Sequence, residues 1–340
     1  MSALTTIAPS DDSPVASATR PLADSTQSHG RAPRRSTVRA VRGAGRSRSR
    51  WTGLAFIAPG FCLYSLIILY PAVQALLMSL RDYNIVPGAP SPWIGFRHYW
   101  EAFHDHVLRR SFVNAAFYTA VTVPLQMGIG LFLAVLLDAK LPGRTFFRVL
   151  FYLPVVTSWV VVSLVFTYLF STDRGVINWL LVDVFGVVGD NVNWLGERWP
   201  AMIAISALGT WKGVGWSMLI FLAALSGVPR ELHEAAAIDG ANAVGRFRHV
   251  SLPLIRGASS VVLVLLVIGG FNVFTSVLLM TDGGPLDQTQ VPLTYLYEKA
   301  FRDIDFGYGS AISFLLTVVV LAVAALQYSI TQRRVRAAFR

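Results

Sequence analysis

Six long apolar runs constrain this chain more than any other feature, at about residues 53–80, 113–137, 147–170, 202–225, 259–281 and 310–330. Each is about 20 residues or more, enough for a helix rising about 1.5 Å per residue to cross a hydrocarbon layer about 30 Å thick. The runs are continuous rather than alternating, so they do not fit a β-barrel. Hydrophobic residues make up 54% of the 340 and charged residues 14%, against about a quarter charged in soluble domains. The predicted fold is therefore all-α, a polytopic membrane protein with six transmembrane helices. Pro59, Pro71, Pro124 and Pro154 lie within or near the runs. Kinks are expected there, with neighbouring helices satisfying the freed backbone groups.

Charge sets the orientation. Residues 1–50 carry nine arginines among Ser, Ala and Pro with no apolar period, and read as a disordered basic cytoplasmic tail. Residues 51–332 form the membrane domain, and residues 333–340 a basic cytoplasmic C-terminus. With the N-terminus inside, the inside segments hold 20 Arg and Lys and the outside segments 8, as the positive-inside rule requires. Both termini are then cytoplasmic. The net charge of +10 resides largely in these inside segments, so no nucleic-acid partner is expected, whereas membrane lipid is. Outside segments are rich in aromatics such as Trp93, Trp100, Trp179 and Trp194, which commonly anchor at the interface. Cys62, the single cysteine, lies in an apolar run and reads as inert.

The inside segment between the fourth and fifth runs has too much pattern for a linker. Pro229 can open a helix at its first position, Arg230 to Ile238 continue it, and Asp239-Gly240 stop it. Asn242 can cap a second helix toward His249, and Pro253 precedes the fifth run. Ala235, Ala236 and Ala237 keep one side shallow enough for another protein to approach. Glu234 offers a fixed charge, and Arg246, Arg248 and Arg256 offer counter-charges.

The motif is Glu234-Ala235-Ala236, three residues, Gly240, nine residues, then Val250-Ser251-Leu252-Pro253. It resembles the EAA loop of binding-protein-dependent ABC importer permeases, with Val250 where Ile is usual. Leu225-Ser226-Gly227-Val228-Pro229, Thr281-Asp282-Gly283-Gly284-Pro285, Tyr295-Leu296-Tyr297-Glu298 and Phe306-Gly307-Tyr308-Gly309 are similar to the carbohydrate (MalF/UgpA-like) subfamily. The similarity covers roughly residues 53–330. It implies the type I importer permease fold in a bacterial cell membrane. It also implies a second permease subunit, two cytoplasmic ATPase subunits, an extracytoplasmic solute-binding protein and a sugar or polyol cargo. Glu234, Ala235, Ala236, Gly240 and Pro253 would be the ATPase-coupling residues, driving alternating access.

Chemistry of other kinds is missing from the sequence. None of Lys140, Lys212 and Lys299 follows a glycine, so there is no phosphate loop. No cofactor is expected on this chain, and ATP with Mg would be used by the partner ATPase. The histidines lack zinc-site spacing, so neither a metal site nor catalytic residues are expected. No Asp or Glu lies in the middle of a run, which weakens the rival reading, a secondary active carrier. Apart from Arg148 at the edge of the third run, Lys212 is the one charge within a run; it serves either the substrate path or a loop carbonyl. A sugar needs aromatic platforms and amide or hydroxyl partners, which makes Trp211, Phe271, Asn272 and Phe274 the other path candidates. Gly269-Gly270 can loosen the fifth run next to them.

Overall fold

The structure is a computed structural model that describes residues 48–139 and 142–338, with side chains from 55–139 and 142–330. Most of the expected disordered tail, residues 1–47, lies outside the described residues, as do 339–340. Contacts divide the chain into Met1–Pro59, helical from Arg48, and Gly60–Arg340, which holds the bundle.

Helices dominate, and no strand longer than the isolated Arg81–Trp93 bridge occurs among the described residues. Among the described residues four helices are long and apolar enough to cross a membrane: α1 (Ala55–Ser79), α3 (His106–Asp138), α6 (Arg198–Ser226) and the Phe306–Ile330 part of α12 (Phe306–Ala338). The short α2 (Arg97–His104) precedes α3. Two further crossings are bent pairs, which raises the number of spans to six if each pair is one span.

The run at 147–170 is bent, in a stretch where Pro154 led a kink to be expected. It forms α4 (Arg144–Val156) and α5 (Trp159–Leu169), which meet at 93°. Pro154 has no N–H to continue the ladder, and Thr157 Oγ1 turns back to donate to the Pro154 carbonyl (2.6 Å). Carbonyls freed at the bend are taken by Lys212. The run at 259–281 is also broken. After the loop helices α7 (Arg230–Ile238) and α8 (Ala243–Leu254), α9 (Arg256–Phe271) leaves α8 at 67°. Residues 272–274 interrupt the helix before α10 (Thr275–Met280), just beyond Gly269 and Gly270. The short α11 (Pro292–Tyr297) leads back toward α12.

The core is built on α3 and α6, which run side by side in the same direction. Ala115, Met202, Ala204, Ile205 and Leu208 are sealed between them near their starts. Farther along, Gly130 lets the backbones close up, since a Cβ there would meet Ser217 Cβ at 2.8 Å. Small residues at such crossings permit this approach within a membrane. By contrast α1 buries almost none of its apolar surface within this chain, and its Tyr70–Ser79 half rests on α12.

Candidate functional site

A cavity of about 440 Å³ opens where the two broken spans face α3 and α6. On α3, Tyr118, Thr122 and Gln126 recur every four residues and form one stripe along it. Glycines on α6 make the room. A Cβ at Gly209 would collide with Tyr118 Oη, and one at Gly213 with the Gln126 amide. Gln126 Nε2 donates to the Gly209 carbonyl (3.1 Å). Trp159 and Trp216 supply aromatic faces, and Asn272, Phe274 and Ser276 complete the wall from the break in the fifth span. Ser276 Oγ is buried without a hydrogen-bond partner.

Lys212 lies at the edge of this cavity, 3% exposed. Its Nζ donates to the carbonyls of Pro154 (2.8 Å) and Thr157 (2.6 Å) and approaches that of Val155 (3.4 Å). The Trp159 ring is 4.9 Å from it. The ammonium thus closes the bend between α4 and α5, in place of the amide donors that a continuous helix would provide. Of the two roles open for Lys212, the geometry supplies the carbonyl partners.

The five path candidates divide. Lys212, Asn272 and Phe274 border the cavity. Trp211 and Phe271 do not. Consecutive helix residues point about 100° apart. Trp211 therefore turns to the opposite face of α6, into an apolar groove with Leu125, Ile129 and Ile203, and packs on Phe166 (5.7 Å). Phe271 is buried in the core with Val273 and Val277. Sequence reasoning missed Tyr118, Thr122 and Gln126, although polar residues four apart inside an apolar run were a readable signal.

At the end of the bundle where α6 finishes, α7 and α8 form a helix–turn–helix. Pro229 caps α7 from one position before its first residue. Gly240 (φ +81°) makes the turn, with the Ala241 amide bonded to the Ala236 carbonyl (2.9 Å). That left-handed geometry favours glycine. Asn242 Oδ1 accepts the Gly245 amide (2.8 Å) to start α8, and Pro253 lies at its end, just before the bend. Glu234 and Ala235 are exposed, Ala236 half-buried, and Ile238 and Val244 stand 87% and 72% exposed on either side of the turn. Glu234 has no ion partner among the described residues.

The opposite end is closed by hydrogen bonds. Asp105 caps α3 by accepting from the Val107 (2.8 Å) and Leu108 (3.2 Å) amides. Its other oxygen accepts from Tyr295 (2.6 Å) and Tyr308 (2.7 Å). Burial alone would raise the Asp105 carboxyl, but these hydrogen bonds outweigh it and hold it below the usual carboxylate value. Burial first, and Asp105 second, push the Tyr295 phenol above its usual value. Among the described residues no cluster of three or more His, Cys, Asp or Glu could hold a metal.

Known proteins resemble this chain in sequence and in fold. The chain is 30% identical over 286 residues to the lactose transport system permease protein LacF of Rhizobium radiobacter, covering 83% of this chain and 94% of that one. It is also 30% identical over 287 residues to the sn-glycerol-3-phosphate transport system permease protein UgpA of Yersinia enterocolitica, covering 84% and 96%. Its fold matches a chain in the crystal structure of a bacterial ABC transporter involved in import of the acidic polysaccharide alginate. The TM-score is 0.73 with 22% identity, over 84% of this chain and 96% of that one. Residues 126–337 match the family of binding-protein-dependent transport system inner membrane components, a family of transport proteins rather than enzymes, and the chain belongs to it.

Proposed function

We propose that this chain is a permease subunit of an ATP-driven importer for a sugar or related polyol derivative. It pairs with a second permease subunit, and two ATPase subunits bind the α7–α8 loop from the cytoplasm. An extracytoplasmic solute-binding protein delivers cargo at the opposite end, and both termini are cytoplasmic. The observation that carries this reading is the loop itself. Its alanine side is open, Glu234 is unpaired, and Ile238 and Val244 are left in solvent. Exposed apolar side chains beside an unpaired charge suit a docked partner. ATP and Mg belong to that partner, and its closure would push the loop and shift the bundle between outward and inward states.

The cavity supports the cargo class. Tyr118 and Asn272 offer hydroxyl and amide groups, and Trp159 and Trp216 offer ring faces, the pairing that a sugar requires. The relatives named for lactose and for glycerol phosphate transport point the same way.

Native mass spectrometry of the gently solubilised complex tests the reading. The expected mass holds two permease subunits and two ATPase subunits. A complex without an ATPase, transporting in proteoliposomes on an ion gradient alone, would overturn it.

A further inference from the structure

Asn114 is fully buried on α3, one helical turn before Tyr118. Its amide is used completely, on two distant parts of the chain. Nδ2 donates to the Gln288 and Gln290 carbonyls (2.8 Å each). Oδ1 accepts from Arg198 Nε (3.0 Å) and Nη2 (2.8 Å) at the start of α6. One neutral side chain therefore joins α3, α6 and the loop at 282–290. The guanidinium has an amide oxygen where a carboxylate would ordinarily stand, and it lies over the Trp199 ring at 4.5 Å.

The loop that Asn114 holds is tied by hydrogen bonds and strained. Asp282, Leu286 and Asp287 all have positive φ, at 49°, 49° and 58°. Such geometry persists only where the surroundings impose it. Thr289 Oγ1 donates to the Gly284 carbonyl (2.6 Å), and Arg302 pairs with Asp282 (2.8 Å). Yet this tied loop presents Leu286 to solvent, 86% exposed. Its far end, Val291, is sealed into the same core as Ala115 and Met202.

We infer that Asn114 is a positioning residue through which docking of the solute-binding protein on the 282–290 loop reaches the cavity. The inference rests on the importer reading above. The path is short and made of hydrogen bonds and one helix face. Asn114, Tyr118, Thr122 and Gln126 share one stripe of α3, and the last three line the cavity. Arg198 gives the same loop a hold on α6, whose Gly209 and Gly213 form the facing wall. A load on the loop moves both walls together. Without Asn114 the loop can shift while the spans stay in place.

The test uses the whole permease–ATPase complex in nanodiscs, with the binding protein that co-purifies with it and the cargo that it carries as isolated. Asn114→Leu removes all four bonds. Asn114→Asp keeps the acceptor for Arg198 but sets a carboxylate against two carbonyls. Arg198→Met frees α6 and leaves the loop bonds intact. Assembly and basal ATP hydrolysis are expected to stay near wild type in all three. Stimulation by the binding protein is expected to fall about tenfold in Asn114→Leu, within the usual range for coupling between sites, and less in Arg198→Met. Stimulation kept at the wild-type level in Asn114→Leu would overturn the inference. So would joint loss of assembly and basal hydrolysis in all three variants, which would mark Asn114 as structural alone. A wild-type complex that the binding protein does not stimulate at all would instead sink the importer reading.

Discussion

The two ends of the bundle solve opposite problems. At one end, the side chains of Asp105 and Asn114 are completed within the chain. Asp105 accepts four hydrogen bonds, and Asn178 donates to the Thr172 and Val192 carbonyls while accepting from the Val192 amide and the Trp194 indole. At the α7–α8 end the ties are local, and Glu234, Ile238 and Val244 are left to solvent. The first end is a finished platform, whereas the second is half of an interface. Self-completion makes a surface rigid before a partner arrives, while incompleteness leaves binding energy to be gained when it does.

That contrast can be broken from the finished side. The largest expected effect is at Lys212, buried within the bundle at the bend between α4 and α5. Lys212→Met strands the Pro154 and Thr157 carbonyls and is expected to destabilise the protein by about 3 kcal/mol, with lower Tm and lower yield of complex. A variant as stable as wild type would show that the bend between α4 and α5 holds without its ammonium. Asp105→Asn comes next, at about 2 kcal/mol, because it weakens a helix cap and two phenol bonds at once. Hydrogen exchange at Pro292–Tyr297 should rise in that variant, with α7 unchanged.

Acidity sharpens the same comparison. The lowered Asp105 carboxyl contributes stability that is present above its unfolded value of about 4 and lost as pH falls through the lowered folded one. The raised Tyr295 phenol contributes stability that is present below about 10 and lost as pH rises beyond it. Protection of α11 should therefore be flat across the neutral range and fall at both extremes. A change centred near neutral pH would assign the closure of this end to other groups. The smallest effect belongs to the open side. Gly240→Ala forces a side chain to φ +81° and should cost about 1 kcal/mol, with loss of α7 helicity but intact spans.

Legibility in the sequence follows the range of the interactions. The α7–α8 unit was readable because its signals are local: Pro229 before the helix, Gly240 in the turn and Asn242 at the next cap. The bends in the third and fifth runs were legible only in part: Pro154 and Gly269-Gly270 marked where the helix weakens, but not how far it turns. Hydropathy is continuous across them, and the group that stabilises the first bend, Lys212, lies 55 to 58 residues downstream. Trp211 and Phe271 were assigned to the path by residue type, whereas helix direction and tertiary packing decide where they point. The Tyr118, Thr122 and Gln126 stripe was visible as a period of four but was lost among apolar neighbours. Nothing local marked Asn114, whose partners lie 84 to 176 residues away.

Glu234→Arg in the assembled complex tests the central claim most directly, by measuring ATPase co-purification and cargo uptake together. Reversal of the unpaired charge on the open face of α7 is expected to cut uptake about tenfold or more, with the permease still folded and inserted. Uptake and ATPase binding both at wild-type levels would contradict the assignment of this loop as the coupling interface.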